Sequence, residues 1–176
     1  MKKHPARYIA EGAIIAALYA ALTILQNVLL PGSASLAVQF RVAEALTVFA
    51  VFTPVAIPAL TIGCLIANLS SLPSLGPFDL IFGSLASLIA AILMYALRNV
   101  RWFKLPILSA LMPALVNGII IGLEIELFFV TGGFHFGSFL VQGGLVALGE
   151  LAVLIVLGLP MAWLIESRGL DKKLLK

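Results

Sequence analysis

The sequence predicts an all-α membrane protein, a single domain of residues 1–176 folded as a bundle of six transmembrane helices. Of its 176 residues, 62% are hydrophobic and 11% are charged, whereas about a quarter of the residues in a soluble domain are charged. Mean hydropathy is +1.15. The second observation is that ten of the eleven Lys and Arg residues fall in three clusters, with long apolar runs between them. This composition leaves no room for a soluble catalytic domain.

The charge clusters predict the orientation of the bundle. Cytoplasmic loops of membrane proteins carry the excess of Lys and Arg, so both termini and the loop at 98–104 are expected in the cytoplasm of a multi-pass plasma-membrane protein. The pI near 9.2 reflects these clusters and does not indicate nucleic-acid binding. The single Cys64 excludes an intrachain disulfide and a multi-cysteine metal site. The clusters are Lys2, Lys3 and Arg7; Arg98, Arg101 and Lys104; and Arg168, Lys172, Lys173 and Lys176.

The first three spans follow from length and from proline. A bilayer core needs about 20 helical residues, and Tyr8–Leu30 supplies them before the chain breaks at Pro31. We expect this helix to be retained, since the run lacks a signal-peptide cleavage site. Residues 39–71 are too many for one span, and Thr53-Pro54 interrupts them. Proline removes a backbone donor and restricts its predecessor, so two short helices are predicted, Gln39–Phe52 and Val55–Ser70.

Three further spans complete the bundle. Residues 71–77 have the composition of a turn, and Phe78–Leu97 follows as span four. Span five is predicted over Pro106–Phe129 and span six over Ser138–Glu166. The glycine-rich loop between them carries His135, which we expect to be solvated, and no second histidine lies near enough to indicate a metal.

Five acidic residues fall within the spans or at their outer ends. An ionised side chain in lipid costs several kcal/mol, so such residues usually face a cavity or a partner. Amide side chains, those of Gln39, Asn68, Asn117 and Gln142 among them, lie in the same half of the predicted bundle. The five acids are Glu44, Asp79, Glu124, Glu126 and Glu150.

Spacing orders these residues on span five. Asn117 and Glu124 are seven positions apart, two helical turns, and share one face. Glu126 is predicted to point away from that face, toward the outer surface. Gly118 and Gly122 leave either close helix contact or space for a ligand. Hydrogen bonding between helices is the alternative role for Asn117 and Glu124.

Local contacts are the alternative role for two of the acids. Asp79 opens span four, where an aspartate is a routine helix cap. Arg41 and Glu44 are three positions apart and could pair with each other.

Small residues mark the first helix. Ala13, Ala17 and Ala21 recur at four-residue spacing, which makes a flat stripe that another helix can approach closely. The stripe is either a packing surface within the bundle or a docking surface for a partner subunit.

The sequence contains no nucleophile elbow, no zinc-protease motif and no nucleotide-binding loop, so we predict neither an enzyme nor a bound cofactor or metal. A small apolar bundle with acids and amides opening outward is typical of a solute-binding pocket. Carboxylates and amides suit a ligand rich in N–H donors, and nearby phenylalanines suit a flat ring.

Several blocks of the sequence resemble one family across essentially all six helices. They are Gln39-Phe-Arg-Val-Ala-Glu-Ala-Leu46, Phe52-Thr-Pro54, Ile62-Gly-Cys-Leu-Ile-Ala-Asn68, Phe78-Asp-Leu-Ile-Phe-Gly-Ser-Leu-Ala86, Gly149-Glu-Leu151 and Leu157-Gly-Leu-Pro160. The chain resembles the queuosine-precursor (QueT-type) family of substrate-binding S components of energy-coupling factor (ECF) transporters.

The resemblance implies a membrane subunit that binds a 7-deazaguanine such as preQ1, preQ0 or queuine. It also implies a transmembrane coupling protein and two ATPase subunits as partners, with Ala13, Ala17 and Ala21 at the docking positions. The substrate-binding residues we expect are Glu124, Asn117, Glu150, Glu44, Asn68, Arg41 and Gln39. An S component for another flat vitamin and a stand-alone carrier are the alternatives. The residues do not decide which carboxylate holds the ring.

Overall fold

A computed structural model describes residues 5–31, 33, 38–102 and 105–171 of the protein. Over these ranges the chain is helical with short connections. Most of the predicted outer loop between the first two spans, and six of the lysines in the charge clusters, lie outside the described residues. Those lysines are Lys2, Lys3, Lys104, Lys172, Lys173 and Lys176.

The described residues contain six apolar helical segments where six spans were predicted. Four spans are long and apolar enough to cross a membrane, and two are shorter. In chain order the helices are α1 (Pro5–Leu29), α2 (Phe49–Phe52), α3 (Ala56–Asn68), α4 (Leu72–Leu75), α5 (Phe78–Ala96), α6 (Ile107–Ala110), α7 (Met112–Phe128), α8 (Phe136–Val153) and α9 (Leu159–Ser167).

The second span differs from the regular helix that was predicted. Gln39 and Phe40 are not helical, Arg41 is extended, and Val42–Val48 forms a 3₁₀ helix that runs into α2. A 3₁₀ helix is narrower and rises further per residue than an α-helix. The break after α2 falls where proline predicted it, with an extended Thr53 before Pro54.

The turn predicted over 71–77 contains one helical turn, α4. Pro73 sits in the first turn of this helix, where its missing N–H is not needed. The chain then turns at Gly76, whose φ of 64° lies in the left-handed region.

The last span changes winding in its middle. Leu154–Gly158 forms a π-helical turn between α8 and α9. Pro160 in the first turn of α9 cannot donate a backbone hydrogen bond, and a wider turn before it accommodates that loss.

The helices close into a bundle around the 3₁₀ segment. In space α1, α3, α5, α7 and α8 are consecutive neighbours. Residues 42–48 pack against α1 on one side and against α8, the π turn and α9 on the other. The short second span is therefore the element that joins the two edges of the helix layer.

The two ends of the bundle can be told apart by their contacts. At one end the rings of Phe78 and Phe128 stack with centroids 4.0 Å apart. We call this the His135 end, because α8 begins there just after His135. At the opposite end Arg101 donates to the carboxylate of Glu166, and we call it the Arg101 end.

Glycines bring α7 and α8 into backbone contact. A Cβ added at Gly122 would lie 2.6 Å from the Cα of Gly143, and one added at Gly118 would lie 2.9 Å from the Gly143 carbonyl oxygen. A Cβ at Gly143 would overlap the Gly118 carbonyl. Of the two roles left open for Gly118 and Gly122, close helix contact is the one observed.

This contact predicts that Gly143→Ala destabilises the protein by about 1–3 kcal/mol, the usual cost of overpacking. Gly144→Ala is the matched control, because a Cβ there meets nothing within 4 Å and both changes raise helix propensity equally. Thermal unfolding of the two variants in the same detergent is the measurement. A Gly143→Ala midpoint equal to that of Gly144→Ala would mean that the two helices separate without cost.

Candidate functional site

The site is built around the non-helical entry to the second span. Gln26 of α1 donates through its side-chain amide to the carbonyl of Phe40, and its amide oxygen accepts the Val42 N–H at 2.9 Å. Because this stretch lacks the hydrogen bonds of an α-helix, its backbone groups need such side-chain partners. On the other side Gly149 of α8 faces the Gln39 backbone, which a Cβ would overlap. The segment is thus held between α1 and α8.

Arg41 lies among the buried acids. Its Nη2 is 3.0 Å from Oδ1 of Asp79, and both side chains are almost completely buried. The Arg41 charge also interacts with the carboxylates of Glu44, Glu124 and Glu150. The structure therefore brings together charged residues that are far apart in sequence, from the segment at 39–48, α5, α7 and α8.

Asp79 forms an ion pair and makes no cap hydrogen bond to its helix. The N-cap position of α5 is Pro77, with no side-chain cap bond, so the cap interpretation of Asp79 is wrong. The reason is tertiary: Arg41 reaches the start of α5 from the second span, and a carboxylate pairs with a buried guanidinium more strongly than with a backbone N–H.

Asn68 supports the same end of α5. Its side-chain amide donates to the Asp79 carbonyl at 2.8 Å, and a Cβ at Gly83 would lie 2.5 Å from that amide nitrogen. Asn68 therefore lies beside the Arg41–Asp79 pair, and its amide N–H is engaged with the backbone that carries Asp79.

Glu44 is bonded to the first helix. The Tyr19 hydroxyl donates to Oε1 of Glu44, and Oε2 has no hydrogen-bond partner. Thr47 fixes the backbone of the same turn by donating to the Glu44 carbonyl at 2.6 Å. Both Glu44 and Tyr19 are at most 1% exposed.

On the α7 and α8 side, Asn117 and Glu150 form a pair. The amide nitrogen of Asn117 donates to Oε1 of Glu150 at 2.6 Å. Oδ1 of Asn117 and Oε2 of Glu150 have no partner. Glu124, on the predicted shared face with Asn117, is 2% exposed and its Oε2 is also unpaired. Hydrogen bonding between helices therefore accounts for the Asn117 amide nitrogen and for Oε1 of Glu150. It leaves Oε2 of Glu150 and Oε2 of Glu124 without a partner.

Glu126 is directed at the loop that follows α7 and is covered by that loop. Glu126 is 1% exposed, and its carboxylate accepts the backbone N–H of His135 at 2.8 Å. The chain after α7 turns back through Gly132 and Gly133, whose φ angles are 106° and 90°. This turn folds the loop over Glu126, which helix periodicity alone could not show. The His135 side chain itself is 64% exposed, which confirms the prediction that it is solvated.

Buried acceptor oxygens without a donor collect among the predicted site residues. Leaving such a group unpaired costs about 1–3 kcal/mol, so the site suits a molecule that supplies N–H donors. None of these atoms belongs to a group of three potential ligands that could hold a metal in the described part of the chain. They are Oε1 of Gln39, Oε2 of Glu44, Oδ1 of Asn117, Oε2 of Glu124 and Oε2 of Glu150.

Sequence reasoning missed a second stripe on α1. Tyr19, Thr23 and Gln26 lie at i, i+4 and i+7 and are at most 7% exposed. Tyr19 is bonded to Glu44, and Gln26 is bonded to the backbone of Phe40 and Val42, so both side chains hold the start of the second span in place. Their polarity within an apolar helix, at spacing that places them on one face, was the signal that could have found them.

The predicted docking stripe is accessible. Ala13, Ala17 and Ala21 are exposed, whereas the neighbouring Ala16 and Ala20 are buried. Ala16 backbone atoms lie so close to α3 that a Cβ at Gly63 would be 2.8 Å from the Ala16 carbonyl oxygen. Packing within the bundle therefore uses the adjacent alanines, and the stripe at 13, 17 and 21 faces outward.

Comparison with known families covers nearly the whole of this architecture. The model of the QueT transporter family matches residues 9–167. This chain belongs to the QueT transporter family. The match places it among multi-pass membrane transporters and outside the enzymes, and the family name links it to queuosine precursors. No curated protein and no solved structure matches the chain.

The Tyr19–Glu44 contact predicts that Tyr19→Phe destabilises this QueT-family protein by about 1–3 kcal/mol, because both oxygens of a buried carboxylate then lack a donor. Tyr8→Phe removes the same hydroxyl from an exposed position on the same helix and should be neutral. Unfolding midpoints in detergent compare the two. Equal midpoints would show that Glu44 finds another donor.

Proposed function

We propose that this protein is the substrate-binding S component of an ECF-type importer and that it takes up a queuosine precursor, a 7-deazaguanine. The family supplies the transport activity. The observation that supports this class of substrate is the set of buried, unpaired acceptor oxygens contributed by residues 39–44, by α7 and by α8.

The Asn117–Glu150 pair is suited to the pyrimidine edge of the base. That edge presents a ring N–H beside an amino group, with a carbonyl next to them. The unpaired Oε2 of Glu150 can accept from the first two groups, and a carboxylate makes strong bonds to such donors. The Asn117 amide nitrogen has two hydrogens, of which one goes to Glu150 and the other can meet the ligand carbonyl.

Orientation follows from the positive charge. The excess of Lys and Arg supports a cytoplasmic location for both termini and the Arg101 end; in this proposal the His135 end faces outward and substrate enters there. Glu126 and the loop at 130–135 lie at that entrance.

The exposed alanine stripe is the proposed docking site for the transmembrane coupling protein. Its alanines permit close approach of a partner helix, and they begin near the Arg101 end, where the ATPase subunits would act. The sequence carries no nucleotide-binding motif, so two partner ATPases supply the energy in this proposal.

We expect the purified protein to bind a 7-deazaguanine without nucleotide or partner subunits. Glu150→Gln should weaken binding by about 2–5 kcal/mol, as for truncating one partner of a buried hydrogen-bonded charge. Asn117→Ala should cost about 1–3 kcal/mol by leaving the ligand carbonyl unpaired. Isothermal titration with preQ1, preQ0, queuine and guanine is the measurement.

Glu166→Gln is the control for these variants, since Glu166 pairs with Arg101 at the opposite end of the bundle. Binding of an unrelated vitamin, with none of any deazaguanine, would replace the proposed substrate class. Transport by the protein alone in ATP-free vesicles would favour a stand-alone carrier instead.

If the alanine stripe is the docking site, Ala17→Trp should abolish both uptake and copurification with the coupling protein. Its affinity for substrate should stay within about twofold of the wild-type value, a difference well under 1 kcal/mol. A bulky side chain holds the partner helix away. Leu18→Trp is the control, because Leu18 is also exposed and points about 100° round the helix. Uptake by Ala17→Trp at the level of Leu18→Trp would move the docking surface elsewhere.

A further inference from the structure

One carboxylate of the site has no hydrogen-bond donor in the described part of the chain. Three of the four acids around Arg41 have one each: Tyr19 for Glu44, Arg41 for Asp79 and Asn117 for Glu150. Glu124 has none, although it is 2% exposed and its Oε2 is fully enclosed. A carboxylate this deeply buried without a partner carries a large desolvation cost.

The charges of the site do not balance. Among the described residues Arg41 is the buried base, and Asp79 already pairs with it. Glu44, Glu124 and Glu150 are the other three acids. Tyr19 and Asn117 are neutral donors, so they satisfy hydrogen bonds of Glu44 and Glu150 without cancelling charge. A positive charge brought by the substrate would lower the free energy of the filled site, and Glu124 is where a donor is lacking.

Glu124 lies two helical turns along α7 from the pair proposed to bind the ring. Asn117 and Glu124 are seven residues apart on one face of α7, a rise of about 10 Å. A two-ring base whose pyrimidine edge meets the Asn117–Glu150 pair directs the substituent on its five-membered ring away from that pair. A short arm ending in an amine can then reach the carboxylate two turns along the helix.

We propose that Glu124 is the counter-ion for a protonated amine on the substrate, so that the protein selects 7-deazaguanines bearing an aminomethyl arm over neutral ones. This inference rests on the proposed function and narrows its substrate class. A nitrile in place of the amine offers neither a positive charge nor a donor, and it leaves Glu124 as it stands in the structure.

The test compares ligands that differ in the arm alone. They are preQ1, which carries a 7-aminomethyl group, preQ0, which carries a 7-cyano group, and 7-methyl-7-deazaguanine as a neutral ligand of similar shape. Isothermal titration of the wild-type protein in nanodiscs should show preQ1 binding at least about 30-fold tighter than either neutral ligand, the equivalent of about 2 kcal/mol.

Two variants locate the effect. Glu124→Gln should bring preQ1 down to the affinity of 7-methyl-7-deazaguanine while changing the neutral ligands less than about threefold. Glu150 is proposed to bind the ring that all three ligands share, so Glu150→Gln should weaken the binding of all three by a similar factor. A merely structural role for Glu124 would instead lower all three affinities together in Glu124→Gln.

The outcomes separate this inference from the proposed function. Equal affinity for the three ligands, or tighter binding of preQ0, in the wild-type protein overturns the counter-ion role and leaves the deazaguanine substrate standing. Absence of binding by all three overturns the proposed substrate and the counter-ion role with it. The wild-type comparison decides the point even if Glu124→Gln does not fold.

Discussion

The buried ion pair between Arg41 and Asp79 is the interaction on which the site depends. Taking two charges out of water is costly, and their attraction repays it only when geometry and further hydrogen bonds are good. The guanidinium must therefore be delivered accurately to the start of α5. A non-helical entry to the second span does this, because it lets the chain run extended past α8 before it begins to wind. Gln26 and Gly149 fix that entry from its two sides.

The first helix contributes one face to the site and another to the exposed surface. Its buried face carries Tyr19 and Gln26, which hold the segment that bears Glu44 and Arg41. Its outward face carries the alanine stripe proposed for the partner. This arrangement links the proposed docking surface to the site by direct contact.

The glycine contact between α7 and α8 gives the site its rigid wall. With backbones this close, the side chains on either side of the contact are set by the helix geometry and not by flexible packing. Asn117 lies next to Gly118, and it meets Glu150 two turns beyond Gly143. The same contact places Glu124 further along α7, so the wall formed by α7 and α8 carries both the Asn117–Glu150 pair and the unpaired carboxylate.

By itself the sequence determined the membrane class, the six spans, the proline break at Thr53-Pro54 and the set of polar residues that lipid would not tolerate. These follow from composition, length and local backbone chemistry. Tertiary structure alone decided the pairing of Asp79 with Arg41, the burial of Glu126 beneath its loop and the bond from Tyr19 to Glu44. The physical reason is that helix periodicity fixes the direction of a side chain relative to its own axis. Which residue lies in that direction depends on how helices that are distant in the sequence pack together.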